Sequence, residues 1–346
     1  MNASLKAIQG LGAVAALLAG SVLCAGAAFG AGGEGAGAEP SAGQSLAQQI
    51  FDTMQKAGAK PGYRTAHAKG IVCEGTFTPS KDAATLSKAV HFQGASVPVI
   101  VRFSSGSPDP SIADNSPDAG PQGIAIRFNL ADGGKTEIVS LSHNGFVVAT
   151  GEEFLALQKA IVATDPSKPH PWPIEAFLGA HPLALKFVQE SQVIPASYGT
   201  ESFFSNNAFI FVNKDGVKQA GRYKILPVAG QHNLSAAEAK TRSANFLAED
   251  LRARLKTGPI KFRLVVQLAN PGDPTNDGSL VWPDDRRTID VGTLSITSVV
   301  ADSDAAQKTL VFFPTSLTDG IELSDDPLPS LRTSVYVLSF VHRQQH

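Results

Sequence analysis

The chain has 346 residues and a formal net charge of −2, and is 43% hydrophobic and 17% charged. That length suits one large domain or two ordinary ones, and that composition excludes a disordered chain. The near-neutral balance, with no long basic run, excludes the clustered positive surface that a nucleic-acid partner requires.

Met1 to Gln9 carries a single charged side chain, Lys6, and Gly10 to Ala31 is almost unbroken Ala, Leu, Val and Gly. This is the three-part pattern of a secretory signal peptide, predicted over residues 1–31. Its apolar core, Leu11 to Leu23, is shorter than the roughly 20 residues that a membrane span needs. Residues 32–44 are rich in Gly, Ala and Glu and read as a flexible linker. The predicted location is therefore periplasmic or secreted, with no membrane span left after cleavage. Cys24 falls in the signal, and Leu23 before it is a poor fit to a lipoprotein site. Cys73 is then the lone cysteine of the mature chain, which excludes an internal disulfide.

Residues 45–346 read as one domain. Ser45 to Lys56 has helical spacing at Leu46, Ile50 and Met54. Val97 to Phe103 and Gly123 to Phe128 are strands separated by a Gly/Pro/Ser/Asp-rich stretch, and Lys135 to Val148 is a further extended run. Glu152 to Ala163 and Ile174 to Glu190 are predicted helices. Ala208 to Val212 and Arg222 to Pro227 are predicted strands. Ser235 to Lys256 is a predicted helix, Ile260 to Ala269 and Val291 to Val300 are strands, and a helix from about Asp325 to Gln345 ends the chain. Strands fill the middle without βαβ alternation, which predicts an α+β fold on an antiparallel sheet or barrel.

In the last helix, Ser324 is the predicted cap. Arg332 and Tyr336 stand at i and i+4, and Arg343 returns to the same face two turns on. A phenol between two guanidiniums on an otherwise apolar helix is compatible with a core tyrosine flanked by surface arginines. It also suits a metal: a guanidinium within reach favours the phenolate, and tyrosine is a known haem ligand. A second cation on that face suits a haem propionate.

Upstream, His67 precedes a Gly-bearing strand and is open to roles as general base, metal ligand or structural residue. Arg102 ends the apolar run Val97-Pro-Val-Ile-Val-Arg102, where an arginine requires an anionic partner, either an internal carboxylate or that of a ligand.

His67-Ala-Lys-Gly with its following Gly-x-Phe, the Pro-x-x-Val-Arg-Phe-Ser run ending near Arg102, Gly123-Ile-Ala-Ile-Arg-Phe128, and the C-terminal Arg332-x-x-x-Tyr336 resemble the catalase superfamily, in its order. Asp273-Pro-Thr-Asn-Asp-Gly-Ser-Leu-Val-Trp-Pro and Ser324-Asp-Asp-Pro resemble its short catalase-related peroxidases. The resemblance runs from about Ala47 to the end. It implies a catalase-like antiparallel β-barrel with surrounding helices and a C-terminal proximal helix that binds haem b (iron protoporphyrin IX). It also implies roles: His67 as distal acid and base, Tyr336 as proximal phenolate ligand tuned by Arg332, and Arg102 and Arg343 as propionate partners.

Two departures bear on function. At the distal asparagine of the large catalases, Leu141, Ser142, His143 and Asn144 are all candidates; Asn144 is the chemical choice, because an amide orients peroxide without competing for its proton. Gln122 stands where larger relatives often carry a propionate arginine. The chain also stops just after Arg343, without the outer segments of the large enzymes. The implied activity is therefore a peroxidase using hydrogen peroxide or organic peroxides and a small organic reductant, with weak or no catalase activity, as a monomer or homodimer. The alternatives are a haem carrier or sensor without turnover, and a fatty-hydroperoxide isomerase or lyase of the same fold.

Overall fold

A computed structural model describes residues 44–346. The predicted signal peptide and all but the last residue of the predicted linker lie outside the described residues.

Among the described residues twelve strands are present: β1 (Gly70–Pro79), β2 (Val97–Ser104), β3 (Gly123–Asn129), β4 (Lys135–Leu141), β5 (Ile194–Pro195), β6 (Phe203–Phe204), β7 (Phe209–Val212), β8 (Lys218–Pro227), β9 (Asn233–Leu234), β10 (Ile260–Leu268), β11 (Thr288–Val299) and β12 (Ile321–Leu323). Eight of them, in the order β1-β2-β3-β4-β6-β8-β10-β11, close on themselves as an antiparallel barrel, with β7 and β12 continuing beyond β8. Closure removes the unpaired edges that an open sheet would leave.

Period-2 burial along the strands sends large side chains inward. Phe77, Phe103, Phe128, Phe203 and Phe262 are fully buried and pack together in the barrel interior. The wall bends at irregularities in register between Glu74 and Gly75 and between Leu264 and Val265. Gly75 is required there, because a Cβ would collide with the carbonyl oxygen of Ser295.

The helices are α1 (Leu46–Lys56), α2 (Ala83–Leu86), α3 (Gly151–Ala163), α4 (Pro173–Ala180), α5 (Pro182–Glu190), α6 (Ala236–Ala239), α7 (Phe246–Leu255), α8 (Ser303–Thr309) and α9 (Leu328–Arg343). α1, α3 and α9 share a small core of Ala47, Ile50, Phe51, Leu155 and Val335. α3, α4 and α5 form another around Leu157, Ile174 and Val188. At Gly151 the chain approaches α1 and α9 so closely that a Cβ would strike Leu331 and Leu46.

The α+β barrel expected from the sequence is present, with four local differences. The run predicted as one helix over Ile174 to Glu190 is two helices, because Pro182 drives His181 out of helical geometry (φ −125°, ψ 81°). The run over Ser235 to Lys256 is also two. Asn115 takes the carbonyls of Ala239 and Arg242 at 3.1 Å each, and Asp114 accepts from the Leu247 N–H at 2.9 Å to start α7. The extended run from Lys135 leaves the sheet after Leu141. Finally, Ser324 does not cap α9. Its hydroxyl donates to the Thr275 carbonyl at 2.9 Å, while Asp326 accepts from Leu328 N–H at 2.8 Å.

Because Phe262 sits among the barrel aromatics with no exposed surface, Phe262→Ala is expected to destabilise the fold by about 3–5 kcal/mol. Urea unfolding checks this, with Val217→Ala, at an exposed site, changing stability by less than about 0.5 kcal/mol.

Candidate active site

A cavity of about 330 Å³ lies between the barrel and the helices, lined on one side by α9 and on the other by the His67 segment and β2–β4, with α3 and α5 closing it. His67, Arg102, Arg332, Tyr336 and Arg343 all line it, so five residues from distant parts of the chain are brought together. The remaining wall is largely apolar, including Phe146, Phe154, Leu157 and Val335.

On the α9 side, the helical spacing places Arg332 under Tyr336. The phenol oxygen accepts from Arg332 Nε at 3.2 Å and Nη2 at 3.0 Å. Arg332 Nη1 donates to Asn207 Oδ1 at 2.6 Å, and Asn207 Nδ2 donates to Asp326 Oδ2 at 2.7 Å. Burial raises the Asp326 carboxyl above its ordinary range, opposed by its bonds from Asn207 and Leu328. The phenol is thus held by a chain of polar groups running back to the start of its own helix. The loop from Asp273 to Pro283 buttresses the residues just before that helix, with Thr275 O accepting from Ser324 Oγ at 2.9 Å and Thr275 Oγ1 donating to Asp325 at 2.6 Å. Arg222 stacks on Trp282, its charge 4.4 Å from the ring, and donates to the Leu280 and Asp277 carbonyls at 2.6 and 2.8 Å.

Opposite, His67 adopts the left-handed backbone region (φ 55°), uncommon for a residue with a side chain. Three contacts hold it: its N–H donates to Gly106 O at 3.2 Å, its carbonyl accepts from Arg102 Nη2 at 2.8 Å, and Nδ1 lies 3.1 Å from Ser104 Oγ. A Cβ at Gly123 would come within 2.9 Å of both the imidazole and that hydroxyl, so the glycine is what admits the ring. Burial, then the cations Arg102, Arg332 and Arg64, lower the imidazole pKa from 6.5 to about 3. The ring is therefore neutral at physiological pH. Ser339 of α9, which accepts the Thr65 N–H at 3.4 Å, ties this segment to the opposite wall.

The cavity concentrates positive charge. Arg64, Arg102, Arg332 and Arg343 all line it. Among the described residues, none of the four has an acidic side chain within 4.0 Å. Their protein partners are mostly neutral oxygens. Arg102 Nε donates to Gln307 Oε1 at 2.9 Å, and Arg64 and Arg343 converge on the Leu310 carbonyl at 2.7 and 2.9 Å. Burial and, secondarily, the neighbouring guanidiniums push Arg64 down; burial lowers Arg343 too and brings Arg102 down to about 10. Buried cations without counter-charge are costly unless a ligand supplies the anion.

The family model described as "Catalase" matches residues 49–345. The chain belongs to the catalase family. Two relatives are named "Catalase-related peroxidase". The one from Mycolicibacterium paratuberculosis is 38% identical over 295 residues, covering 84% of this chain and 92% of its own length. The one from Synechococcus elongatus is 33% identical over 290 residues, covering 83% and 85%. A fungal catalase crystal structure shares the fold with a TM-score of 0.73 at 21% identity, and catalase A from Saccharomyces cerevisiae does so with 0.73 at 20%. This catalase-family chain spans 60% and 62% of those two chains.

Set against the family resemblance, two expected positions fall elsewhere. Asn144 is not among the cavity's lining residues; Val139, Ser140 and Leu141 of β4 face the cavity, and the chain returns to it at Phe146 and Val147. The chain turns away after Leu141 and is pinned there: Gly145 N–H donates to Asn206 Oδ1 at 3.2 Å, and His143 bridges Gly145 O and Glu190 at 2.9 and 3.0 Å. Gln122 is buried outside the lining, its amide donating to Gly120 O at 3.3 Å. Sequence reasoning missed Arg64, Ser104, Asn207, Asp326 and Gln307. Arg64 was legible, three residues before His67 in the same run. Asn207 and Gln307 carry no local signal, since only the fold brings them to their arginines.

His91 is also buried, and burial lowers its pKa to about 3. Both histidines thus bind protons more weakly folded than unfolded, where a histidine titrates near 6.5. Stability is expected to be unaffected by them above about pH 6.5 and to fall as pH drops from there towards 3. Denaturant melts across that window check this; His91→Phe should flatten the slope, and an unchanged slope would contradict the neutral, buried assignment.

Proposed function

We propose that this protein is a haem peroxidase that reduces hydrogen peroxide or an organic peroxide with a small organic electron donor, with weak or no catalase activity. The observation that carries the reading is one apolar cavity holding a phenol, a neutral imidazole and arginines without counter-charge. Those residues fit haem b, a flat apolar body with two carboxylates. Arg102, Arg343 and Arg64 would pair with its propionates, and Tyr336, hydrogen-bonded by Arg332, would hold its iron. Haem bound there supplies ferric iron and its redox chemistry.

His67 does the proton work. With Nδ1 turned to Ser104, Nε2 is left for the cavity. A neutral imidazole there would accept a proton from one peroxide oxygen and return it to the other, the leaving oxygen, as the O–O bond breaks. Its low pKa keeps that nitrogen unprotonated and ready to accept. Arg102 holds the His67 backbone carbonyl, and Ser104 orients the ring. The peroxidase reading over a large-catalase activity is supported by the end-to-end likeness to relatives named catalase-related peroxidases. Apolar Leu141 facing the cavity supports it too, since it supplies no amide to hold a second peroxide. The signal-like pattern of residues 1–31 supports export to the periplasm or beyond.

The purified protein is expected to absorb as a ferric high-spin, phenolate-ligated haem; a colourless protein that takes up no haem would refute the reading. Tyr336→Phe should lose haem or change that spectrum. His67→Ala should keep haem and lower peroxide turnover by about 10²–10⁴-fold. Turnover unchanged in His67→Ala would remove it as the base.

A further inference from the structure

We propose that a second pocket, outside the main cavity, is the docking site for a small phenolic electron donor; this rests on the peroxidase reading and names its reductant class. The pocket, about 240 Å³, opens between α5 and the loop at Ser279 to Val281. One wall is Leu183 and Phe187, the other Leu280 and Val281, with Phe146 between them.

The first observation is adjacency. Phe146 and Phe187 line this pocket and the main cavity alike, so these two aromatic side chains form a shared wall between them. An electron donor needs only this proximity and need not enter the space given to haem. The second is exposed apolar surface. Leu183, Leu280 and Val281 are 44%, 38% and 47% exposed, and they converge on one concavity. Clustered exposed apolar side chains at a pocket mark a binding surface more than scattered ones do.

The third observation gives the ligand's chemistry. The rim carries one anchored carboxylate. Glu190 lies 3.0 Å from His143 Nε2 and 3.8 Å from Lys186 Nζ, and His143 is fixed in turn by Gly145 O at 2.9 Å and by the Phe187 ring, 4.6 Å away between centroids. A flat ring stacks on Phe187 and Phe146 while its hydroxyl donates to Glu190. A phenol fits that combination because it loses a proton with its electron, and Glu190 accepts the proton. In balance, two phenols each give one electron and one proton and leave as phenoxyl radicals, and those two electrons and two protons convert ROOH to ROH and water.

The test uses the full haem-loaded chain and guaiacol. Calorimetric titration without peroxide should show saturable guaiacol binding. Leu183→Trp, which fills the pocket from α5, should weaken that binding at least tenfold and raise the KM for guaiacol by the same factor. Val281→Phe fills it from the opposite wall and serves if Leu183→Trp does not fold. Wild-type guaiacol affinity and KM in a folded, filled variant would overturn the proposal, as would no saturable binding to the wild type. His67→Ala should bind guaiacol as the wild type does while losing donor-dependent peroxide turnover; guaiacol binding thus scores the pocket, and the loss of turnover scores the peroxidase reading separately.

Discussion

Arginines that find no carboxylate among the described residues, gathered around one apolar cavity, are the constraint on which the rest of this molecule depends. Arg64, Arg102, Arg332 and Arg343 come from three separate stretches of chain and face the same space. Bringing like charges together in a partly dry site is unfavourable by itself. The protein eases it with neutral oxygens: the Leu310 and Lys308 carbonyls, Gln307, Asn207 and the backbone of His67. These satisfy geometry without cancelling charge, which leaves the field available to an anionic ligand. The same field, added to burial, helps keep His67 neutral, so one arrangement favours acid groups in the cavity and an unprotonated imidazole beside them.

The scaffold explains why the arrangement is reproducible. A closed barrel with aromatic filling fixes β2 and β3 side by side, which sets Arg102, Ser104 and Gly123 around the imidazole. The terminal helix is fixed from two ends. Asp326 and the Trp282 loop hold its start, and Arg343 clamps its end to the Lys308 and Leu310 carbonyls. Tyr336 lies between these clamps, so its oxygen is positioned by interactions distributed over the whole helix. The helices α3 to α5 then form a wall of apolar side chains, and the second pocket lies behind that wall.

Much of this was legible from residue order. Periodicity located β2, β3, β4, β8, β10 and β11 of the barrel and the helices α1, α3 and α9, and the spacing of Arg332, Tyr336 and Arg343 placed them on one helical face. It was blind to interruptions imposed from outside a segment. Asp114 and Asn115 divide the run after Ser235 by taking its backbone groups from more than a hundred positions away. It was blind also to the course of the chain after β4. Asn144 lies off the cavity's lining, because hydrogen bonds to Asn206 and Glu190, remote in the chain, hold Gly145 and His143 away from it while Leu141 faces it.

The sequence by itself determined the elements whose signals are local: alternating strands, the amphipathic terminal helix, and a histidine and an arginine in runs resembling those of the catalase superfamily. Tertiary structure alone decided which arginines lack a counter-charge, which polar groups extend the Tyr336 contact to Asn207 and Asp326, and which side of the β4 exit meets the cavity. The reason is physical. Backbone propensity and periodicity act over a few residues, whereas burial, charge neutralisation and hydrogen-bond partnership depend on which remote segments the closed barrel brings within a few ångströms.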